Sequence, residues 1–323
     1  MDRETALQSY REAVSGKIAD FRKYMETYLL ERAEYLENMV RTGMELLGEQ
    51  MEKQEKEYVC YLYFSVLKTD LMDRKYRVLL HGMDMRWYLD EEPAEVYVDA
   101  RELFAPLDDL RNAIEEANRG YGGAVNSYDI QNLLFDELPL LDSMVCHALR
   151  FILREWEEKG IFDKVSRSPY WILKWGEYRD KSEFLLLTDR VEKPASAWKE
   201  ELAKAKRDPE AMVFSYWYKA NLEGRNPEKL DMRFMTLEEC MVKNTAFTGC
   251  NMEGCRFPKS RMSGCSFAGC NLSGADFRAC GFEETSFAGA ELTGAVFPAE
   301  SVPFLGIDAA QLQGIRIYRG ETV

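Results

Sequence analysis

The chain has 323 residues, enough for two domains, and its 42 basic against 56 acidic residues leave a net charge of −14. The longest apolar run, Tyr58–Leu67, is shorter than the roughly 20 residues a membrane helix needs, which excludes a span there. Met1 to Tyr10 is polar and charged, so no secretory leader is expected, and the cysteines are expected as reduced thiols in the cytoplasm.

Residues 3–56 read as helix, broken or continuous. Leu7, Val14, Phe21, Tyr28 and Tyr35 recur at intervals of seven, with Ile18, Met25 and Met39 beside them, a coiled-coil-like stripe. Such a stripe has two uses: packing within its own domain, or pairing with a second copy in a homodimer. Gly16, Gly43, Gly48 and the charged Arg32 in the seam favour the first. From Tyr58 the composition turns aromatic and β-branched. Tyr58–Phe64, Tyr76–Leu80, Met85–Leu89 and Glu95–Val98 are expected as three or four antiparallel strands, with turns near 70–74 and 91–93. Helices are expected at Ala100–Asn118, Tyr128–Lys159, Pro169–Leu187 and Ser196–Tyr218, the first two separated by Gly120, Gly122 and Gly123. These elements make an α+β domain at 1–209, followed by a junction at 210–229.

Chemistry is sparse in this half. The two histidines, His81 and His147, belong to no metal or nucleophile motif, and His147 reads as a packing residue on a helix. Gly120-Tyr121-Gly122-Gly123 lacks the Lys-Ser/Thr of a phosphate loop. No catalytic residue, cofactor ligand or metal ligand is assigned. The aromatic group Trp171, Trp175 and Tyr178 sits at helical spacing on one face, which suits core packing or a partner-binding surface.

From Leu230 to Ile317 the chain repeats every five residues, within a repeat domain with a C-terminal cap expected at 230–323. A large apolar residue recurs at Met232, Leu237, Val242, Phe247 and onward to Phe297, and two residues before it stands a small one such as Cys250, Ser260 or Ala275. That period fits neither an amphipathic helix nor an alternating strand, but it fits a solenoid whose coils pack on their neighbours. Units such as Cys250-Asn251-Met252-Glu253-Gly254, Cys270-Asn271-Leu272-Ser273-Gly274 and Ala275-Asp276-Phe277-Arg278-Ala279 resemble the pentapeptide-repeat proteins. The resemblance implies an all-β, right-handed quadrilateral β-helix with twenty residues per coil. Phe247, Phe257, Phe267, Phe277, Phe287 and Phe297 are ten apart, so Phe is expected in two stacks on opposite sides. Six of the eight cysteines share the small slot, where packing explains them better than zinc or disulfides. Ala310-Gln311-Leu312-Gln313-Gly314 continues the register, after a capping interruption at Pro298, Pro303 and Phe304. The N-terminal part, with its Tyr-rich block and Trp87-Tyr88-Leu89-Asp90, resembles two-part pentapeptide-repeat proteins of anaerobic Firmicutes.

Three functions remain open. The preferred one is a non-enzymatic cytoplasmic scaffold or protein-interaction module with an unknown protein partner. Family resemblance offers a DNA-mimic protein that binds DNA gyrase, of the quinolone-resistance type. Eleven acidic and eight basic residues after residue 229 leave the repeat region at only −3, weak for a mimic of duplex DNA. The third is a small-molecule sensor or enzyme in the N-terminal domain, docked on the repeats. Arg256, Lys259 and Arg261 form a small basic group on the solenoid surface, too few charges for direct nucleic-acid binding.

Overall fold

The structure is a computed structural model that describes residues 2–224 and 226–320. The chain divides into two compact units, the first ending at Leu186 and the second beginning at Leu187.

In the first unit, α1 (Arg3–Glu31) starts on Asp2, whose carboxylate accepts from the Thr5 backbone N–H at 2.9 Å. The helix ends at Arg32, where φ −105° and ψ 20° leave the helical region, and α2 (Ala33–Lys53) follows directly. The seven-residue stripe is used inside the unit. Val14, Phe21, Met25 and Tyr28 are buried in its core, and the Tyr10 and Tyr28 hydroxyls donate to the Ile114 and Glu102 carbonyls at 2.6 Å each. A homodimer through this stripe would have to lift α1 from its own core.

A five-stranded mixed sheet follows: β1 (Val59–Val66), β2 (Arg77–Met83), β3 (Ala94–Asp99), β4 (Arg167–Glu177) and β5 (Ser182–Asp189), in the order β3-β2-β1-β4-β5. β1 pairs antiparallel with β2 and parallel with β4. A short helix, α3 (Lys68–Met72), links β1 to β2, while α4 (Arg101–Asn118), α5 (Ser127–Phe135) and α6 (Leu138–Ile152) lie between β3 and β4. Leu62, Phe64, Val66, Val78, Leu80, Trp171, Leu173 and Trp175 occupy alternate strand positions and share the helix-packed core.

Two expectations fail here. Pro169–Leu187 is strand rather than helix, because its apolar residues alternate at 171, 173 and 175 and pack on one sheet face. Met85–Leu89 is not a strand; it belongs to the β2–β3 connection, with a 3-10 turn at Trp87–Leu89.

The second unit also begins earlier than expected. Instead of a domain to residue 209, α7 (Ala197–Ala205) belongs to the solenoid's core, and Ser196–Tyr218 is therefore not one helix. Trp198 meets Trp217 edge-on at 5.0 Å. Strand pairing keeps a constant offset of twenty residues, as in Asn221↔Met241, Met241↔Arg261 and Arg261↔Gly281, all parallel. Counting back by fives, Met212, Trp217, Leu222 and Pro227 are buried in the central slot, so the expected junction at 210–229 is the first coil. The Phe rings fall into two columns at this twenty-residue offset. Phe247, Phe267 and Phe287 stack at 5.1 and 5.0 Å, and Phe257, Phe277 and Phe297 at 4.3 and 4.8 Å.

The small slot has a polar role as well as a steric one. Most donors there point to the carbonyl twenty-three residues earlier, as Cys255 to Met232 at 3.0 Å, Ser260 to Leu237 at 2.8 Å, Cys265 to Val242 at 3.4 Å and Thr285 to Met262 at 3.3 Å, while Thr245 donates to the Lys243 carbonyl at 2.9 Å. Thiols and hydroxyls alternate because both donate from a buried position. After most central residues the chain turns with the second residue on in the left-handed region, as at Glu239, Asn244, Lys259 and Gly269. At Gly254 (φ +65°) an added Cβ would also fall 2.7 Å from the Phe234 ring.

At the far end the expected pentapeptide around Leu312 is a helix, α8 (Ala309–Gly314), opened by a capping box of Asp308 and Gln311. Leu312 is exposed, while the Gln311 amide donates to the Phe287 and Ala290 carbonyls at 2.9 and 2.8 Å. The register returns at Arg316–Tyr318, which pairs with Val296–Pro298. These contacts close the end that a repeating coil would leave open.

Candidate binding site on the second face of the sheet

The sheet of the first unit has one face in the helical core. The other carries Tyr61, Tyr63 and Ser65 from β1, His81 from β2 and Lys174 from β4, alternating with the core residues. The β2–β3 connection folds over this face. Its Trp87 indole N–H donates to the Tyr63 hydroxyl at 3.1 Å, Trp87 lies 6.4 Å from the Tyr61 ring, and Tyr88 lies 6.1 Å from Tyr63. From the turn between β4 and β5, Tyr178 comes within 6.0 Å of His81, and Arg179 lies 5.9 Å from the Tyr88 ring. Between loop and turn opens a cavity of about 630 Å³ lined by Tyr63, Trp87, Tyr88, Lys174, Arg179, Asp180 and Ser182. That volume lies within the usual range for small-ligand sites.

The loop is held in place from below. Asp90 is buried and accepts from the Lys56 ammonium at 2.7 Å and from the backbone N–H groups of Asp84 and Glu92 at 2.8 and 3.1 Å. These partners keep Asp90 below the ordinary carboxylate range although burial pushes it up. Trp87 is left at φ +58°, a left-handed conformation that costs a bulky residue about 1–3 kcal/mol. Met85 and Leu89 are 72% and 80% exposed, and Trp87 is 46% exposed. A fixed loop that spends backbone strain to keep three large apolar side chains in solvent has the character of a recognition element.

The electrostatics of the cavity are distinctive. Lys174 is half-buried, its ammonium lies 4.2 Å from the Phe184 ring and 5.6 Å from the Tyr63 ring, and burial lowers its pKa. Among the described residues neither Lys174 nor Arg179 has a carboxylate at ion-pair distance. A second cavity, about 400 Å³ beside Arg74, Lys75, Arg77 and Arg101, is different. Each of those cations is already paired, with Asp108, Asp73, Asp70 and Asp99 respectively.

Ser65 Oγ and His81 Nε2 lie 3.0 Å apart beneath the cavity, a geometry that invites a nucleophile–base reading. Both are buried, and burial, with Arg179 adding to it, lowers the imidazole to about 4. A base that weak and that enclosed does not suit activation of Ser65, so the pair supports the floor of the aromatic cluster.

The sequence-derived candidates separate. Trp171 and Trp175 are core residues: Trp171 packs edge-on against Trp156 at 5.3 Å, and the Trp175 indole N–H donates to Asp142 at 2.7 Å. Tyr178 reaches the margin of the site. On the solenoid, Arg256 is half-buried between Thr236 and Asp276, while Lys259 and Arg261 are exposed. Asp276 is held low, against its burial, by Arg278 first and Arg256 next, and Lys259 acts on Glu238 in the same sense. The basic group is therefore offset by its own acidic neighbours. Trp87, Tyr88, Tyr63 and Lys174, which make the site, were missed as a group; the signal was Trp87-Tyr88-Leu89 standing among charges, with Asp90 to fix it.

Residues 260–297 match the family model for pentapeptide repeats in eight copies. No curated protein sequence matches the chain. Among solved structures the chain is similar to Rfr23, a pentapeptide repeat protein from the cyanobacterium Cyanothece 51142, with 16% identity over 32% of this chain and 82% of that one, TM-score 0.25. It is similar to QnrB1, a plasmid-mediated fluoroquinolone resistance protein, with 13% identity over 33% of this chain and 64% of that one, TM-score 0.22. It is also similar to a pentapeptide repeat protein from Nostoc Pcc 7120, with 14% identity over 41% of this chain and 100% of that one, TM-score 0.21. The C-terminal region is a pentapeptide-repeat β-helix, joined to an α+β N-terminal region.

Proposed function

We propose that the protein is a non-enzymatic interaction module of a reducing cytoplasm, recognising a partner protein through the Met85–Leu89 loop and carrying the repeat solenoid as a rigid support. One observation carries the reading: Met85, Trp87 and Leu89 are exposed on a loop that Asp90 and Lys56 pin in a strained conformation. Exposed aromatic and Met side chains on a rigid element are typical anchors of protein interfaces. The cytoplasmic part is supported by the solenoid's use of reduced thiols as buried donors. The coil is taken as right-handed and four-sided, in keeping with its twenty-residue ladders and paired Phe columns. Gyrase mimicry lacks a comparable observation, since the repeat region carries only −3. The test compares cross-linking capture by the natural chain with capture by a Met85→Ser/Trp87→Ser/Leu89→Ser variant of equal melting temperature. Loss of the same captured protein supports the reading, and an identical capture profile sinks it.

A further inference from the structure

We propose that the cavity between the β2–β3 loop and the β4–β5 turn binds a mononucleotide, its base on Trp87 and Tyr88 and its phosphate on Lys174 and Arg179. The inference does not rest on the partner reading, because it concerns a small molecule and can be tested on the purified chain alone.

Three features of the lining point to this class. The first is the pairing of aromatic planes with cations. Trp87 and Tyr88 adjoin at 4.6 Å between centroids, Arg179 lies 5.9 Å from Tyr88, and Lys174 lies 5.6 Å from Tyr63. A ligand in contact with a ring is therefore within reach of a cation, and a base–phosphate molecule uses both. The second is that, among the described residues, no carboxylate lies at ion-pair distance from the cations. A half-buried ammonium with no carboxylate at ion-pair distance is an incomplete electrostatic arrangement, and burial already lowers the pKa of Lys174. An anion would complete it and restore the charged form. In the second cavity the cations have their carboxylates, so charge alone gives that one no comparable demand. The third is Asp180, with Ser182 beside it on the same wall. A carboxylate among cations would repel a plain anion, but it accepts hydroxyl or amine hydrogens, as acidic residues do with ribose. Ring, cation and acceptor together select a nucleotide over inorganic phosphate or a simple aromatic acid.

The experiment is calorimetric titration of the full chain with AMP, adenosine and inorganic phosphate, repeated with GMP, CMP and UMP. AMP or another of the four nucleotides should bind saturably, and its nucleoside and phosphate alone should each bind at least about tenfold more weakly. Lys174→Met should weaken the nucleotide by about tenfold or more and leave the nucleoside unchanged, whereas Trp87→Ala should weaken both. Melting curves establish that the variants fold. If Lys174→Met does not fold, Arg179→Gln, on an exposed turn, must give the same selective loss. Absence of saturable binding by all four nucleotides at millimolar concentration, or wild-type nucleotide affinity in the charge-removing variant, overturns the proposal.

Discussion

Phe267 offers the most direct measurement of what holds the solenoid together. Its ring lies between Phe247 and Phe287 at 5.1 and 5.0 Å and meets Phe277 edge-on at 6.1 Å. A fully buried Phe removes about 150–250 Å² from water, which at about 25 cal/mol per Å² sets a ceiling of roughly 4–6 kcal/mol. Phe→Ala replacements in cores cost about 3–5 kcal/mol, so about 4 kcal/mol is expected for Phe267→Ala. The neighbouring Ser266 makes only a 3.4 Å contact with the Ala268 N–H, and Ser266→Ala should cost less than about 0.5 kcal/mol. Cys250 and Cys270 provide the readout, because both are buried and react only when their coils open. With about 1.4 kcal/mol per decade, Phe267→Ala should speed their labelling nearly a thousandfold, and Ser266→Ala less than about threefold. Mass spectrometry of labelled peptides distinguishes these thiols from the others. Equal acceleration by the two substitutions would refute the inward and outward assignment.

Two further outcomes test other parts of the structure. Cys255→Ser should keep the bond to the Met232 carbonyl, as Ser260 does with Leu237, while Cys255→Ala loses it and should cost about 1 kcal/mol more in urea unfolding; a Ser variant less stable than the Ala variant would contradict the donor role. In the first unit, burial raises Asp142 from 3.8 to about 7, with the Trp175 hydrogen bond opposing and Glu177 and Glu183 adding to the rise. Its folded value lies above its unfolded one, so the native state keeps a proton that the unfolded chain has released, and stability should fall as pH rises from 3.8 toward 7. Asp142→Asn should flatten that decline in the first unit's melting temperature, and an unchanged slope would show that another group controls it.

The repeat was legible because one rule governs every coil: a large residue each fifth position and a small donor or methyl two places before it. Its beginning was not, since Trp217 and Pro227 fill central slots without the usual Phe or Leu. Their place follows from the offset of twenty residues to Leu237 and Phe247, a relation between coils rather than within one. The strand β4 was misread because Trp171, Trp175 and Tyr178 fit a helical face by spacing, while Trp171, Leu173 and Trp175 fit a sheet face equally well. Only the partner strand β1 resolves the choice. The binding site was least accessible to sequence reasoning. Its lining comes from residues 63, 87–88, 174, 179–180 and 182, and the ion pair that fixes its loop joins Lys56 to Asp90.

The ladder also sets which changes of length the solenoid can absorb. Removal of twenty residues from a middle coil superposes every column on itself and returns Phe to Phe, turn to turn and donor to carbonyl. Removal of ten still sets Phe above Phe, but it turns the closing helix half a circuit away from the Phe287 and Ala290 carbonyls that Gln311 caps. Removal of five drives rings into columns shaped for Met and Leu. The molecule can therefore grow or shrink by whole coils, and its length is inherited in units of twenty.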